Sequence, residues 1–301
     1  MNNEPQLEDL RVFCLVARKS GFASAAEELG ASPAYVSKRI RLLEDSLGVK
    51  LLYRSTRRVA VTEDGERVYR WAQKILDDVD HMVDEVSATR LAPRGLIRIS
   101  SSLGFGRVHV APALAALAER YPQLEIRFDV TDRLVDLESE GIDLDIRVGN
   151  EIAPQLIAKK LVANQRILCA ASSYLERRGT PKSLGELSSH DCLAIKERDH
   201  PFGVWRLSGP GGETVIRITG PLSANHGEIV HQWALAGRGI MLRSLWDVRA
   251  ALAAGRLVRV LPDYSLPADI WAVSPMRLSS SAKLKVCVDF IEQYFRTQDV
   301  G

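Results

Sequence analysis

Cysteine is scarce in this 301-residue chain: its four residues, Cys14, Cys169, Cys192 and Cys287, lie far apart. Without a close pair they exclude a disulfide scaffold and a paired-cysteine zinc site. Long apolar runs are missing too, and none approaches the ~18 residues of a membrane-spanning helix. Met1 to Glu8 is polar and lacks the apolar centre of a secretory signal. The six histidines show no paired-ligand spacing, and no Gly-x-Ser-x-Gly elbow accompanies them, so hydrolase chemistry has no foothold. The expectation is a cytoplasmic protein with no membrane partner, no metal and no cofactor. The remaining composition, 46% hydrophobic and 26% charged, excludes a mostly disordered or fibrous chain and suits two or three folded domains.

The net charge of +2 is small but unevenly placed. Between Ser37 and Arg58 stand Lys38, Arg39, Arg41, Lys50, Arg54, Arg57 and Arg58 against Glu44 and Asp45 alone, which leaves this window at +5. A compact basic patch on a near-neutral chain is the footprint of a polyanion, with a solvated basic face as the alternative.

Local pattern favours the polyanion. Leu10, Phe13, Cys14 and Ala17 mark one face of a helix over Leu7 to Lys19, and Ser20-Gly21 breaks it. Ala23 to Leu29 is helical by propensity, with Ala25, Ala26 and Leu29 inward, and Gly30 can take a positive φ. Ser32 followed by Pro33 is a capping residue with proline at the first helical position. A third helix then runs to about Leu47 with Val36, Ile40, Leu43 and Leu47 on its buried stripe, and Gly48 ends it. Ala34, Tyr35, Ser37, Lys38 and Arg41 are left outward, where small, hydroxyl and cationic groups can reach base edges and phosphates in a major groove. Two short strands, Lys50 to Tyr53 and Val59 to Val61, flank Arg54-Ser55-Thr56-Arg57-Arg58, a basic hairpin tip suited to phosphates. The reading is a winged helix-turn-helix over residues 1–62 that binds double-stranded DNA.

Thr62 caps a further helix with Glu63 and Asp64 in its first turn. Val68, Ala72, Ile75, Val79, Met82 and Val86 follow at steps of four and three, a coiled-coil seam, with Gln73, Lys74, Asp77, Asp78, Asp80 and Asp84 off it. The spacing predicts a linker helix over residues 63–92 that pairs with a second copy. Packing on its own domain is the alternative.

From residue 93 onward strands and helices alternate. Strands are predicted at Leu96–Ser100, Leu124–Val130, Leu144–Val148, Ile167–Ala171, Leu193–Lys196, Ile240–Leu242, Leu257–Leu261 and Trp271–Val273. Helices are predicted at Arg107–Tyr121, Arg133–Glu140, Ile229–Gly237, Asp247–Ala254 and Lys283–Phe295. Such alternation implies parallel sheets covered on both faces. The length suggests two lobes: 93–163 with 266–301, and 164–265. Ligands in such folds sit at strand ends beside helix starts. Ser100-Ser101-Ser102-Leu103-Gly104-Phe105-Gly106 is such a place, its hydroxyls and amides suiting an organic anion. Thr131-Asp132 and Arg147 end the next two strands, and Arg147 reads equally as a crevice cation or as a salt-bridge partner of Asp145 or Asp132.

Several segments together resemble LysR-type transcriptional regulators: Gly21-Phe22-Ala23-Ser24-Ala25-Ala26-Glu27-Glu28-Leu29, Ser32-Pro33-Ala34-Tyr35-Val36-Ser37-Lys38-Arg39-Ile40, Leu47-Gly48-Val49, Arg54-Ser55-Thr56-Arg57-Arg58 and Val61-Thr62-Glu63-Asp64-Gly65. The resemblance implies that Ser32, Pro33, Ala34, Ser37, Lys38 and Arg41 read the major groove while Arg54, Arg57 and Arg58 hold the backbone. Pro33 stands where glutamine is frequent in the family, so that glutamine's base contact does not carry over. The resemblance also implies a two-lobed, periplasmic-binding-protein-like effector domain, a homodimer or homotetramer, and RNA polymerase as a further partner. Ser101, Ser102, Thr131 and Arg147 match positions that line the family's crevice, with Phe105, Phe202 and Asn225 as further candidates. Val130 to Leu137 and Gly141 to Gly149 resemble a subgroup that includes regulators of hydroxy-dicarboxylate metabolism.

Two other readings have some footing. Gly104-Phe105-Gly106-Arg107-Val108-His109 follows a strand as a dinucleotide fingerprint would, which suggests a NAD-dependent enzyme, but His109 replaces the third glycine. One branch of the family senses oxidants through thiols; here Cys169 and Cys192 lie in or beside apolar strands and read as buried and inert.

Overall fold

The computed structural model describes residues 4–54, 59–87, 93–195, 203–278, 281–298 and 300, and the side chains at 54, 77, 80, 81 and 83–87 lie outside that description. The chain divides into two units, Met1–Leu91 and Ala92–Gly301.

In the first unit α1 (Leu7–Lys19), α2 (Phe22–Glu28) and α3 (Pro33–Leu47) precede a hairpin of β1 (Leu52–Arg54) and β2 (Val59–Val61), and α4 (Glu63–Ser87) follows. Ser32 caps α3 by accepting the Tyr35 amide at 3.2 Å, and Gly48 closes it in the left-handed region at φ 69°. Thr62 caps α4 by accepting the Gly65 amide at 2.9 Å while its hydroxyl donates to the Lys50 carbonyl at 2.7 Å. That double bond pins the helix start to the wing. A Cβ at Gly65 would collide with the Leu51 carbonyl, so glycine is what permits the approach.

Phe13, Val16, Ala25, Val36, Ile40, Leu43 and Leu51 form a buried core, each large side chain of which contributes ~1.5–3 kcal/mol. Leu29 and Leu47, expected inward, are each 37% exposed, because they stand at the C-terminal ends of α2 and α3 where the helix face turns away from the core.

The second unit holds two sheets. The first lobe contains β3 (Gly95–Ser101), β4 (Leu124–Val130), β5 (Leu144–Val148), β6 (Ile157–Val162) and β15 (Ile270–Ser274), in the order β4-β3-β5-β15-β6. Between β3 and β4 runs a helix that begins as α5 (Leu103–Phe105), widens to a π turn over Gly106–Val110 and continues as α6 (Ala111–Arg120). The closing helix α10 (Ala282–Thr297) packs Leu284, Val288, Ile291 and Phe295 into the same core.

The second lobe comprises β7 (Gln165–Ala171), α7 (Ser172–Arg178), β8 (Cys192–Ile195), β9 (Val204–Gly209), β10 (Gly212–Arg217), β11 (Ser223–Ala224), α8 (Gly227–Leu235), β12 (Ile240–Ser244), α9 (Leu245–Ala253), β13 (Leu257–Arg259) and β14 (Ser265–Pro267). Strand order is β10-β9-β14-β7-β12-β8-β11, with β13 also on β7. Along β7 the side chains alternate between two cores: Ile167, Cys169 and Ala171 on one face, Leu168 and Ala170 on the other.

The sheets are mixed rather than parallel. β3 runs parallel to β4 and β5, but β15 is antiparallel to β5 and β6, and β7 is antiparallel to β12, β13 and β14. The chain leaves the first lobe after Val162 and returns after Pro267, so strands next to the crossings enter with reversed direction. Arg133–Glu140, expected as a helix, is an irregular stretch that ends in a turn over residues 137–140. There Glu140 accepts the Asp136 amide at 3.1 Å and grips the Arg133 guanidinium, and Asp136 accepts the Ser139 amide at 3.3 Å. Side chains have taken the backbone groups a helix would need.

Candidate functional site

On the first unit, Ser32, Pro33, Ala34, Tyr35, Lys38 and Arg41 are exposed on α3 and Ser37 is half-buried. They follow the helix from its capped start, and the small residues at 32–34 leave that end sterically open. Tyr35 donates to Glu8 of α1 at 3.3 Å, which steadies the ring at the surface. Two cations of the basic window turn out to serve the fold. Arg39 Nε lies 2.6 Å from buried Asp9, and Lys50 Nζ lies 2.8 Å from buried Glu44. Burial pushes the Glu44 carboxyl up, but the Lys50 ammonium and the Leu51 amide at 3.0 Å outweigh it and hold it below its ordinary range. The outward cations among the described side chains of α3 are therefore Lys38 and Arg41. The Arg54 side chain and Arg57 and Arg58 lie outside the described residues.

Along α4, Ala72 is buried in the unit's own core and Val68 packs against it. This corrects their assignment to an open seam, because the first turns of α4 rest on α1. Farther along, Trp71, Ile75 and Met82 are 64%, 39% and 58% exposed, and Val79 is half-exposed. The Val86 side chain lies outside the described residues.

In the second unit a narrow cleft lies between the lobes. The first lobe lines it with Ser102, Gly104, Phe105, Asp132 and Val148, and the second with Arg166, His226, Glu228, Arg243 and Trp246 among others. Phe105 is wholly buried and meets Trp246 edge-on at 5.2 Å, so an aromatic pair from both lobes forms the floor. Arg107 pairs with Glu228 across the gap, and His226 stands 3.5 Å from Asp132.

Ser102 and Phe105 thus line the cleft, whereas several expected residues do not. Ser101 is buried and donates its hydroxyl to the Ile146 carbonyl at 2.7 Å, inside the sheet. Thr131 bonds its amide to the Ser101 carbonyl at 2.9 Å and its neighbour Asp132 faces the cleft instead. Arg147 is buried and donates from Nε to Asp145 at 2.8 Å, which settles its two readings in favour of the salt bridge. Asn225 is exposed beside His226 and outside the lining, and Phe202 lies outside the described residues. At the helix start, Asp132 accepts the Leu103 amide at 3.0 Å, so a protein carboxylate holds the place proposed for an anion.

The cations of the cleft are Arg166 and Arg243, which sequence reading passed over. A signal existed: Arg243 stands one residue before the end of β12, as Arg147 stands one residue before the end of β5, and a helix follows β12 directly. Arg243 Nε donates to Asp247 at 2.5 Å, and His231 Nδ1 lies 3.2 Å from the same carboxylate oxygen. Burial pushes Asp247 up, yet His231 and Arg243 outweigh it and keep the carboxyl below its usual range.

The glycines that suggested a dinucleotide loop have a packing role. A Cβ at Gly106 would sit 2.9 Å from Val130 and 3.0 Å from Phe128, so glycine lets helix and sheet close. Burial pushes the Cys169 and Cys192 thiols up to about 12, so they are protonated and poorly nucleophilic at neutral pH. Among the described residues no helix is long and apolar enough to cross a membrane, and no group of three His, Cys, Asp or Glu could hold a metal.

Residues 7–66 match the family model of bacterial regulatory helix-turn-helix proteins of the lysR family, and residues 91–296 match the LysR substrate binding domain. The chain is 62% identical over 295 residues to the HTH-type transcriptional regulator DmlR of Escherichia coli (strain K12), covering 98% of this chain and 96% of that protein. It is 48% identical over 291 residues to the HTH-type transcriptional activator TtdR of the same strain, covering 97% and 94%. Among solved structures, the full-length Vibrio cholerae virulence activator AphB superposes with a TM-score of 0.58 at 30% identity, covering 95% of this chain and 98% of that one. CrgA from Neisseria meningitidis gives 0.56 at 27% identity, covering 99% and 100%. The helix-turn-helix unit and the two-lobed unit thus find their counterparts in regulators rather than enzymes: the chain belongs to the LysR family of transcriptional regulators.

Proposed function

We propose that this regulator takes a small organic dianion, of the hydroxy-dicarboxylate class, between its two lobes and adjusts its hold on promoter DNA in response. One observation carries the reading: Arg166 and Arg243 line a single cleft together with Ser102, Ser244 and His226, above an aromatic floor. Paired guanidiniums suit carboxylates, hydroxyls and the imidazole suit a ligand hydroxyl, and the floor excludes water. On DNA, α3 enters the major groove with Ser32, Pro33, Ala34, Tyr35, Ser37, Lys38 and Arg41, while Arg54, Arg57 and Arg58 of the wing hold phosphates. The exposed stripe of α4 at Ile75, Val79 and Met82 joins two copies, which supports a homodimer or a tetramer built from it on a partly palindromic site. RNA polymerase is the further partner this role implies. No cofactor is called for.

Calorimetry of the full chain with malate, tartrate and succinate tests the reading, alongside retardation of promoter fragments with and without each acid. Binding of at least one acid, lost or weakened at least about tenfold by Arg243→Lys, supports it; the loss of an Arg fork on a carboxylate is of that size. Absence of binding by all three, or an Arg243→Lys variant that binds like the native chain, overturns it.

A further inference from the structure

The cleft arginine at position 243 is held on three sides by residues that no comparison assigns to the effector site. Arg243 is 7% exposed, and its Nε donates to Asp247, four residues on in the first turn of α9. The same Asp247 oxygen is faced by His231 Nδ1 of α8 at 3.2 Å, so two helices fix one carboxylate. The guanidinium carbon stands 5.8 Å from the Trp246 ring centroid. Its remaining flank lies against Gly227, the first residue of α8, where a Cβ would fall inside the guanidinium itself. Gly104 of the first lobe approaches from across the cleft: a Cβ there would be 3.7 Å from Nη2. A long arginine side chain has much rotamer freedom to lose, and a guanidinium already fixed loses less of it when a ligand arrives.

We propose that Asp247 is the positioning residue of the effector cleft and that glycine at 227 belongs to the same device. Asp247, steadied by His231, sets the rotation of Arg243, and the missing side chain at 227 gives the guanidinium its seat. Asp247 stands outside the cleft lining and acts through Arg243, while Gly227 lines the cleft and acts by the room it leaves the guanidinium. The assignment rests on the effector reading above and deepens it, since it says what decides the geometry of the carboxylate contact.

A double-mutant cycle separates positioning from general structural support. The full chain is titrated with malate, tartrate and succinate. Asp247→Asn weakens the bound acid at least about tenfold in the native background but less than about twofold in Arg243→Lys, because the loss passes through the guanidinium. Gly227→Ala likewise weakens binding in the native background and is tolerated with Arg243→Lys, whose ammonium no longer occupies the seat. Equal effects in both backgrounds, or Asp247→Asn binding within twofold of native, overturn the positioning role while the effector reading stands. Arg243→Lys binding like native, or no acid bound by the native chain, overturns the effector reading and this assignment with it. Should Asp247→Asn fail to fold, the Gly227→Ala arm and His231→Ala decide the matter by the same criterion.

Discussion

Arg147 Nε donates to Asp145 Oδ2 at 2.8 Å, two residues away on the same strand, and both side chains are buried. Asp145 also accepts the Ser100 hydroxyl at 2.8 Å, which ties β5 to β3. The guanidinium belongs to the sheet. Removing one member of a buried pair leaves the other uncompensated at a cost of ~3–5 kcal/mol. Arg147→Ala is therefore expected to lower the thermal midpoint of the second unit markedly, while the fraction that remains folded binds an effector acid with native affinity. Melting curves and calorimetry on the same preparation check both halves.

Two neighbouring arginines of α3 are expected to part company. Arg39 is paired with buried Asp9, and Arg41 is exposed. Arg39→Ala should destabilise the first unit, whereas Lys38→Ala and Arg41→Ala should leave its melting unchanged and weaken DNA binding. Each lost phosphate contact reduces the slope of log affinity against log salt by ~0.9. Fragment retardation across a salt series reads the difference.

Glu44 makes stability depend on pH in a defined direction. Its native carboxyl lies below its ordinary value of 4.5, so the unfolded chain takes up the proton first as pH falls. The contribution is complete above that value and is lost as pH drops through the native one. Glu44→Gln should cost about 1–2 kcal/mol at pH 7, and the gap to native should narrow below about pH 4.5. Urea melts at pH 7 and pH 4 measure it.

Thiol chemistry should be slow. Cys169, Cys192 and Cys287 are buried and their thiols are pushed up by desolvation. Alkylation of the native protein at pH 8 should leave these three unmodified, and peroxide should form no disulfide among them. Mass spectrometry of quenched samples, with a denatured control, shows whether it does.

The open stripe of α4 is expected to join two chains. Ile75→Glu with Val79→Glu should convert the assembly to monomers without unfolding the first unit, because Ile75 is 39% exposed and absent from its core. Sedimentation gives the mass; Ala72→Glu, by contrast, should unfold the unit, since Ala72 is only 1% exposed.

The recognition helix was legible because its signals are local. Ser32-Pro33 and Gly48 bound α3, and every element of the first unit is contiguous in sequence. Strands β4 and β5 also emerged with their observed ends, since Leu124, Ile126, Phe128 and Val130 alternate with charged residues, as do Leu144, Ile146 and Val148, which is the period of a strand. The hairpin of β9 and β10 escaped notice although Gly209-Pro210-Gly211-Gly212 marks its turn. The cleft was harder for a physical reason. Its lining comes from segments near 102, 132, 166, 227 and 243 that meet only through two crossings between lobes. Whether a strand-end arginine faces a cleft or a neighbouring aspartate depends on which side of the sheet is covered, and no spacing in the chain encodes that. Arg147 and Arg243 illustrate the two outcomes.

The crossings after Val162 and after Pro267 make the second lobe a single uninterrupted excursion from the first. Both ends of that excursion are short tethers, and the first lobe completes its own core with α10 drawn from beyond the return. Such an arrangement behaves as a cassette: one half of the ligand seat can be exchanged or remodelled in evolution while the half connected to the DNA-reading unit keeps its architecture.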